Sequence, residues 1–358
     1  QQGGRGQWPF ALNQNDTNLN IDAPDRPLQN LFPVPPASVI SIAVTQAIAG
    51  RTAYTQQWNL SIQRQLSLDL ALEVGYVGSK GTKLYTNWRA NAAPPGPGPV
   101  NPRRPFPQFG TMSELNPRGN SNYHALQVKL EKRHSKGLTF LSSYTWAKSI
   151  DDSSTLITLS QHNPFDLRQE RGLSEYDVRH NWVSTFVYEL PVGRGKPWGR
   201  SLPGLVRLAA ADWQLNGILT ARAGFPIRIV LPGDIANTGV SGGQRPNVVG
   251  RVKLPRGERS AERWFNTTGL AAPAPYTFGN LGRNAVIGPG VWNFDVGVYK
   301  NFYVFEKHMV QFRAELFNLP NHTNLDLPGG TFGTAQFGKI AGTSTDARDI
   351  QFALRYQF

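Results

Sequence analysis

The chain ends Ile350-Gln-Phe-Ala-Leu-Arg-Tyr-Gln-Phe358. Ile350, Phe352, Leu354, Tyr356 and Phe358 alternate without a break with Gln351, Ala353, Arg355 and Gln357, which are small or polar. Successive side chains of a β-strand point to opposite faces, so this stretch has one apolar face and one wet face. Two settings suit such a strand. One is a soluble sheet packed on a dry core. The other is a wall with lipid on one side and water on the other.

The same period recurs upstream. The spacing predicts strands over 52–64 (Tyr54, Trp58, Leu60 and Ile62 against Gln57, Asn59, Ser61 and Gln63) and 68–79 (Leu68, Leu70, Leu72, Val74 and Tyr76). Further strands follow at 121–133 (Leu126, Val128, Leu130), 138–148 (Leu138, Phe140, Tyr144, Trp146) and 178–190 (Trp182, Phe186, Tyr188, Leu190). The pattern continues over 212–230 (Trp213, Leu215, Leu219), 291–303 (Phe294, Val296, Val298), 308–318 (Val310, Phe312, Leu316) and 348–358. Most exceed the ~5–6 residues usual in soluble sheets and reach the ~9–11 that cross a bilayer at a tilt.

The connections are asymmetric. Tight turns are expected at 65–67, at His134-Ser135-Lys136-Gly137 and near 304–307, with a moderate link at 191–211. Long loops cover 80–119, 149–176, 231–290 and 319–347. Short turns at one end and long loops at the other are the pattern of an outer-membrane barrel. Trp58, Tyr76, Trp146, Trp182, Tyr188 and Trp213 fall near strand ends, where interfacial aromatic belts sit. The expected fold is all-β: an antiparallel transmembrane β-barrel segment of about 9–10 long strands with long extracellular loops. Strand length and loop asymmetry weigh against a soluble β-sandwich.

Composition agrees. No window holds the ~18 consecutive apolar residues of a membrane-spanning helix; the nearest, Ala37 to Ala49, is interrupted by Ser38, Ser41, Thr45 and Gln46. The 36 Gly and 27 Pro are turn and loop chemistry, and the absence of cysteine excludes disulfides and thiolate metal sites. The net charge is +13, with 26 Arg and 11 Lys spread along the chain. A nucleic-acid partner would call for a clustered basic face, so none is expected.

A chain ending on the periplasmic side with nine antiparallel strands would begin its first strand outside. Residues 1–50, rich in Asn, Asp, Pro and Gln, then read as an extracellular loop segment with a short apolar element at 38–49, and 51–358 as the barrel portion. Single-chain bacterial barrels have an even strand number, so at least one further strand upstream is expected.

Several motifs carry a family resemblance. They are Tyr54-Thr-Gln-Gln-Trp-Asn-Leu-Ser-Ile-Gln-Arg64, Glu73-Val-Gly-Tyr-Val-Gly-Ser-Lys-Gly81, Tyr123-His-Ala-Leu-Gln-Val128 and Tyr144-Thr-Trp-Ala-Lys-Ser149. Downstream come Tyr176-Asp-Val-Arg-His180, Gly279-Asn-Leu-Gly-Arg-Asn284, Asn293-Phe-Asp295, Phe312-Arg-Ala-Glu-Leu-Phe-Asn-Leu-Pro-Asn-His322 and the terminal strand. In order and spacing the chain resembles the C-terminal barrel of TonB-dependent receptors, in the Oar-like subgroup. The resemblance implies an outer-membrane importer of a ligand too bulky or scarce for porins. It also implies contact with outer-membrane lipid, handling of the terminal strand by the barrel-assembly machinery, and coupling to the TonB system through an N-terminal plug and TonB box. Neither plug nor TonB box lies in this sequence. A non-transport barrel, acting as an adhesin or structural protein through the same loops, is the alternative.

Few residues invite chemistry. His124, His134, His162, His180, His308 and His322 have no metal-ligand spacing and read as loop or girdle residues. Asp151-Asp152 reads as a pair of solvated loop acids, and the mixed-charge run Asp166 to His180 as a loop ion-pair network. Gly193-Arg-Gly-Lys196 lacks the rest of a phosphate loop, and no Gly-x-Ser-x-Gly elbow is present. No enzyme activity, cofactor or metal is expected. Lys129, Glu131, Arg222, Asp295, Arg313 and Glu315 fall on the polar faces. On the lipid face a charge would cost ~2–4 kcal/mol near mid-bilayer, so these six are expected in the lumen, paired across strands.

Overall fold

A computed structural model describes the backbone of residues 40–46 and residues 50–155, 161–193, 195–199, 203–305 and 308–358. The expected N-terminal loop up to residue 39 and the centre of the turn near 304–307 lie outside the described residues.

The main elements are β1 (Ile40–Gln46), β2 (Tyr54–Ser67), β3 (Leu70–Arg89), β4 (Phe109–Ser135) and β5 (Leu138–Asp151). They continue with β6 (His180–Glu189), α1 (Gly204–Ala210), β7 (Trp213–Arg222), β8 (Val291–Phe305), β9 (His308–Phe317) and β10 (Asp349–Gln357). From β2 to β10 each strand pairs antiparallel with the next, a plain meander. Among the described residues β2 and β10 have one neighbour each in that order, so the sheet is not closed.

The register carries the alternation across the whole wall. One cross-strand row reads Ile62, Val74, Val128, Tyr144, Trp182, Ala221, Trp292. The adjacent row on the opposite face reads Gln63, Glu73, Lys129, Ser143, Val183, Thr220, Asn293. A one-residue slip anywhere would exchange the faces, so the apolar band pins the register. Every residue of β10 from Asp349 to Tyr356 is exposed, including Phe352, Leu354 and Tyr356; a soluble sandwich would bury one of these faces.

Two glycines show local sequence at work. β4 and β5 meet at Lys136 (φ 51°) and Gly137 (φ 81°), the double positive φ of a type I′ hairpin. A Cβ on Gly137 would also sit 2.6 Å from the Glu189 carbonyl oxygen. On the apolar face the Trp58 indole lies across β3 over Gly78, whose added Cβ would stand 2.2 Å from Nε1. Gly78→Val is therefore expected to expel Trp58 and destabilise the wall by about 1–3 kcal/mol, as overpacking does. An unchanged unfolding midpoint and tryptophan emission in detergent would contradict that packing.

Two expectations are corrected. Residues 80–89 and 109–120 are strand, so the Pro/Gly-rich loop shrinks to 90–108. There β3 and β4 run on past the membrane wall as a ribbon, and a bulge at Lys83 (φ 55°) marks the change. Polar residues of that ribbon, Thr86, Asn87, Ser113 and Asn116, are buried, and Trp88 and Arg89 bond to Pro164 and Gln161 of the next loop, so no apolar face signals it. β1 adds to it in parallel, along Phe109–Leu115. The predicted strand 212–230 ends at Arg222, where the chain turns through Gly224-Phe225-Pro226 to pair with 286–287. The loops 231–290 and 319–347 are packed. With 223–230 they hold a core of Ile227, Ile229, Phe265, Leu270, Leu281 and Val286, flanked by Phe332 and Phe337. The chain's buried apolar cluster thus lies in the loops, because a barrel wall faces lipid on one side and lumen on the other.

Candidate functional site

The polar face of the wall and the packed outer loops meet at the loop end of the sheet. The six polar-face candidates do share that face, but most find partners along their own strands. Lys129 pairs with Glu131 at 2.9 Å, and Arg313 Nε donates to Gln311 Oε1 at 2.6 Å. Residues i and i+2 of a strand share a face, so along-strand pairing competes with the cross-strand pairing expected. Glu315 does bond across strands, accepting from the Tyr299 hydroxyl at 2.7 Å. Asp295 accepts from Asn293 Nδ2 and from the Asn318 backbone N–H. Arg222 lies over the Phe225 ring, 4.5 Å from its centroid. The terminal residues Ile350, Phe352, Leu354 and Tyr356 pair in register with β9, and Phe358 is exposed beyond the strand end.

Lys300 departs from the alternation. It sits between Trp213 and Phe312 in an apolar-face row, buried, and its ammonium donates to the Ala211 carbonyl beneath the Trp213 ring. At the turn end of the wall a lysine can bend back to a carbonyl instead of facing hydrocarbon.

The outer loops are held by buried charge. Arg283 bonds Asp151 through Nη1 at 2.5 Å, both side chains nearly inaccessible. Its Nη1 also donates to the Asp151 and Glu170 carbonyls, and its Nη2 to Ser154 Oγ. Arg245 pairs with Glu170 at 3.3 Å and donates to the Leu281 and Gln169 carbonyls. Asp152 is bonded by Asn120 and lies 3.5 Å from Arg171. The expectation of solvated acids at 151–152 is thus corrected: both are clamped, because loops packed on one another exclude the water that would have solvated them. The mixed-charge run 166–180 does build a network, but its main partners, Arg245 and Arg283, come from distant sequence.

His162 is the centre of this packing. Its Nδ1 accepts the Arg245 backbone N–H at 3.0 Å, and its Nε2–H donates to the Gly279 carbonyl at 2.8 Å. Burial, helped by the Arg245 guanidinium, holds its pKa down at about 4, against an ordinary 6.5. Between those values the unfolded chain binds the extra proton. Stability from this group is therefore complete above pH 6.5 and falls as pH drops toward 4, by about 3 kcal/mol in all. His162→Gln is expected to flatten that part of the pH profile. Thermal unfolding at pH 7.5 and 4.5 checks it: equal pH losses in both proteins would refute the assignment.

A cavity of about 60 Å³ opens between wall and loops, lined by Asn87, Arg118, Asp152, Glu175, Arg228 and Asn284 among others. Asn87 Oδ1 and Asn284 Oδ1 are buried and accept no hydrogen bond among the described residues. The arrangement offers acceptors and both signs of charge. No group of three His, Asp or Glu among the described residues could hold a metal. The outer loops also expose Arg251, Lys253, Arg256 and Arg263, together with Glu258 and Glu262.

An antiparallel wall with lipid on one face, a polar lumen face and folded loops at one end defines a transmembrane β-barrel protein. The chain belongs to the outer membrane beta barrel domain family, whose model matches residues 1–351, and its place is the outer membrane. No curated protein matches the sequence. Among solved structures it is similar to the outer membrane transporter YddB from Escherichia coli, at 8% identity, with a TM-score of 0.44, over 89% of this chain and 34% of that one. It is also similar to the FrpB iron transporter from Neisseria meningitidis, at 12% identity and a TM-score of 0.40, over 88% of this chain and 33% of that one. The chain thus spans about a third of the length of these transporters.

Proposed function

We propose that the chain forms part of the wall and the outer vestibule of an importer of the TonB-dependent receptor type, Oar-like subgroup. In this reading the outer loops recognise a scarce or bulky ligand, and energy reaches the barrel through a plug and the TonB system. Barrel-assembly machinery engages the strand Ile350–Phe358. The chain does no covalent chemistry. The observation that carries the reading is the polar, hydrogen-bonded lumen face lying directly beneath a roof of loops with its own core.

The test is physiological. Cells lacking the gene should leave in their medium at least one solute that parental cells consume, and a proton uncoupler should reproduce the defect in the parent. Identical depletion of every solute by both strains, with the loops displayed on the parental surface, would sink transport and leave the adhesin.

A further inference from the structure

We propose that Lys80, His124 and Lys148, on the lipid-facing side of β3, β4 and β5, form a seat for the phosphate group of an outer-leaflet lipid. The three belong to neighbouring rows. His124 is the direct cross-strand partner of Lys148, and Lys80 is that of Asn122, one step along the same face. Direct partners on one face stand about 5 Å apart at Cβ and diagonal ones roughly 7–8 Å, so His124 lies within reach of both lysines, which are two strands apart and bridge the gap with their long side chains.

His124 and Lys148 are exposed, and Lys80 is half-buried. The Lys148 ammonium has no partner among the described residues. Lys80 Nζ is steadied by Asn122 Oδ1 at 2.8 Å. His124 Nδ1 is taken by the Tyr76 hydroxyl at 2.7 Å, so Nε2 remains for another group. The Trp58 indole, held over Gly78, stands 6.1 Å from the His124 ring. Deeper along the strands Leu60, Tyr76, Leu126 and Trp146 form an exposed apolar row of the kind acyl chains cover.

Charge complementarity selects the occupant. The rows through Gln56, Trp58 and Leu60 on this face contain no Asp or Glu. The lysines at the opposite end of the same face are satisfied internally, Lys132 by Asp69 and Lys300 by the Ala211 carbonyl. Among the described residues Lys80 and Lys148 have no such acid, so the counter-charge comes from the membrane. A phosphate supplies oxygens for short charge-assisted bonds from both ammonium groups and from His124 Nε2. Aromatic rings beside them fix the depth at the interface.

The experiment titrates the full chain in dodecyl maltoside with a diphosphorylated, acylated glucosamine disaccharide, and with the same lipid stripped of its phosphates. Tryptophan emission and native mass spectrometry report binding. The phosphorylated lipid should bind at least about tenfold tighter. Lys80→Ala with Lys148→Ala should weaken it on the order of 30-fold, about fivefold per basic residue at an anionic surface. Lys80→Arg with Lys148→Arg should retain it, and inorganic phosphate at equal concentration should not displace it. Lys148→Gln serves if the double alanine variant fails to fold. Equal affinity for both lipids, an unchanged alanine or glutamine variant, loss in the arginine variant, or displacement by inorganic phosphate would each overturn the proposal.

Discussion

Arg283→Ala is expected to cost the outer loops about 3–5 kcal/mol, the usual penalty for removing one partner of a buried ion pair. Asp151 is left as a buried carboxylate at the outer end of β5, with Ser154 its remaining side-chain donor. The loss exceeds one contact, since Arg283 also donates to the Asp151 and Glu170 carbonyls and to Ser154, tying β5, the 166–171 turn and the long loop together. The two carbonyls lose this donor at once, while Ser154 Oγ keeps the Glu175 N–H, and buried acceptors without donors are costly. Removing both charges, with Asp151→Asn and Arg283→Met, should recover much of the loss, because no bare charge remains. The readout is proteolysis of the loops and thermal unfolding in detergent. An Arg283→Ala protein as protease-resistant as the parent would show that the pair does not hold the loops. A double variant no better than the single one would place the cost in the lost backbone bonds instead.

Phe265→Ala should have an effect of the same size, about 3–5 kcal/mol for a fully buried phenylalanine. The Phe265 ring is 0% exposed and meets Phe337 edge-on at 5.2 Å, with Ile227, Leu270 and Val286 in the same cluster. Phe337 comes from the 318–348 connection and Ile227 from just beyond β7. The cavity left by alanine would therefore loosen two loops together. The wall should be untouched, because its strands contribute nothing to this cluster. Phe265→Ala is thus expected to lower a loop transition while the barrel transition stays. A single transition shifted as a whole would mean that loops and wall unfold as one unit.

The strands were legible because a barrel strand reports its surroundings one residue at a time. Lipid and lumen alternate along Ile350 to Phe358, and the sequence alternates with them. The tight turn at Lys136-Gly137 was legible for a similar local reason, a glycine where φ is positive. The ends of β3 and β4 were hidden. Past Lys83 both faces meet water or loops, so no period marks the continuing ladder.

The six polar-face residues were readable as a face but not as partners. Lys129 reaching Glu131 and Glu315 reaching Tyr299 depend on rotamers that alternation does not specify. Lys300 was missed because its acceptor is a backbone carbonyl at Ala211, and a carbonyl leaves no trace in residue type.

By itself, the sequence determined the class of wall: long antiparallel strands, one face for lipid and one for water, turns at one end and loops at the other. These follow from periodicity and turn chemistry, which are local. Tertiary structure alone decided that the loops fold around Phe265, that Asp151 meets Arg283 from 132 positions away, and that His162 is sealed neutral between Arg245 and Gly279. Burial and pairing over such separations arise only when distant segments share one water-free volume, and no local pattern encodes that volume.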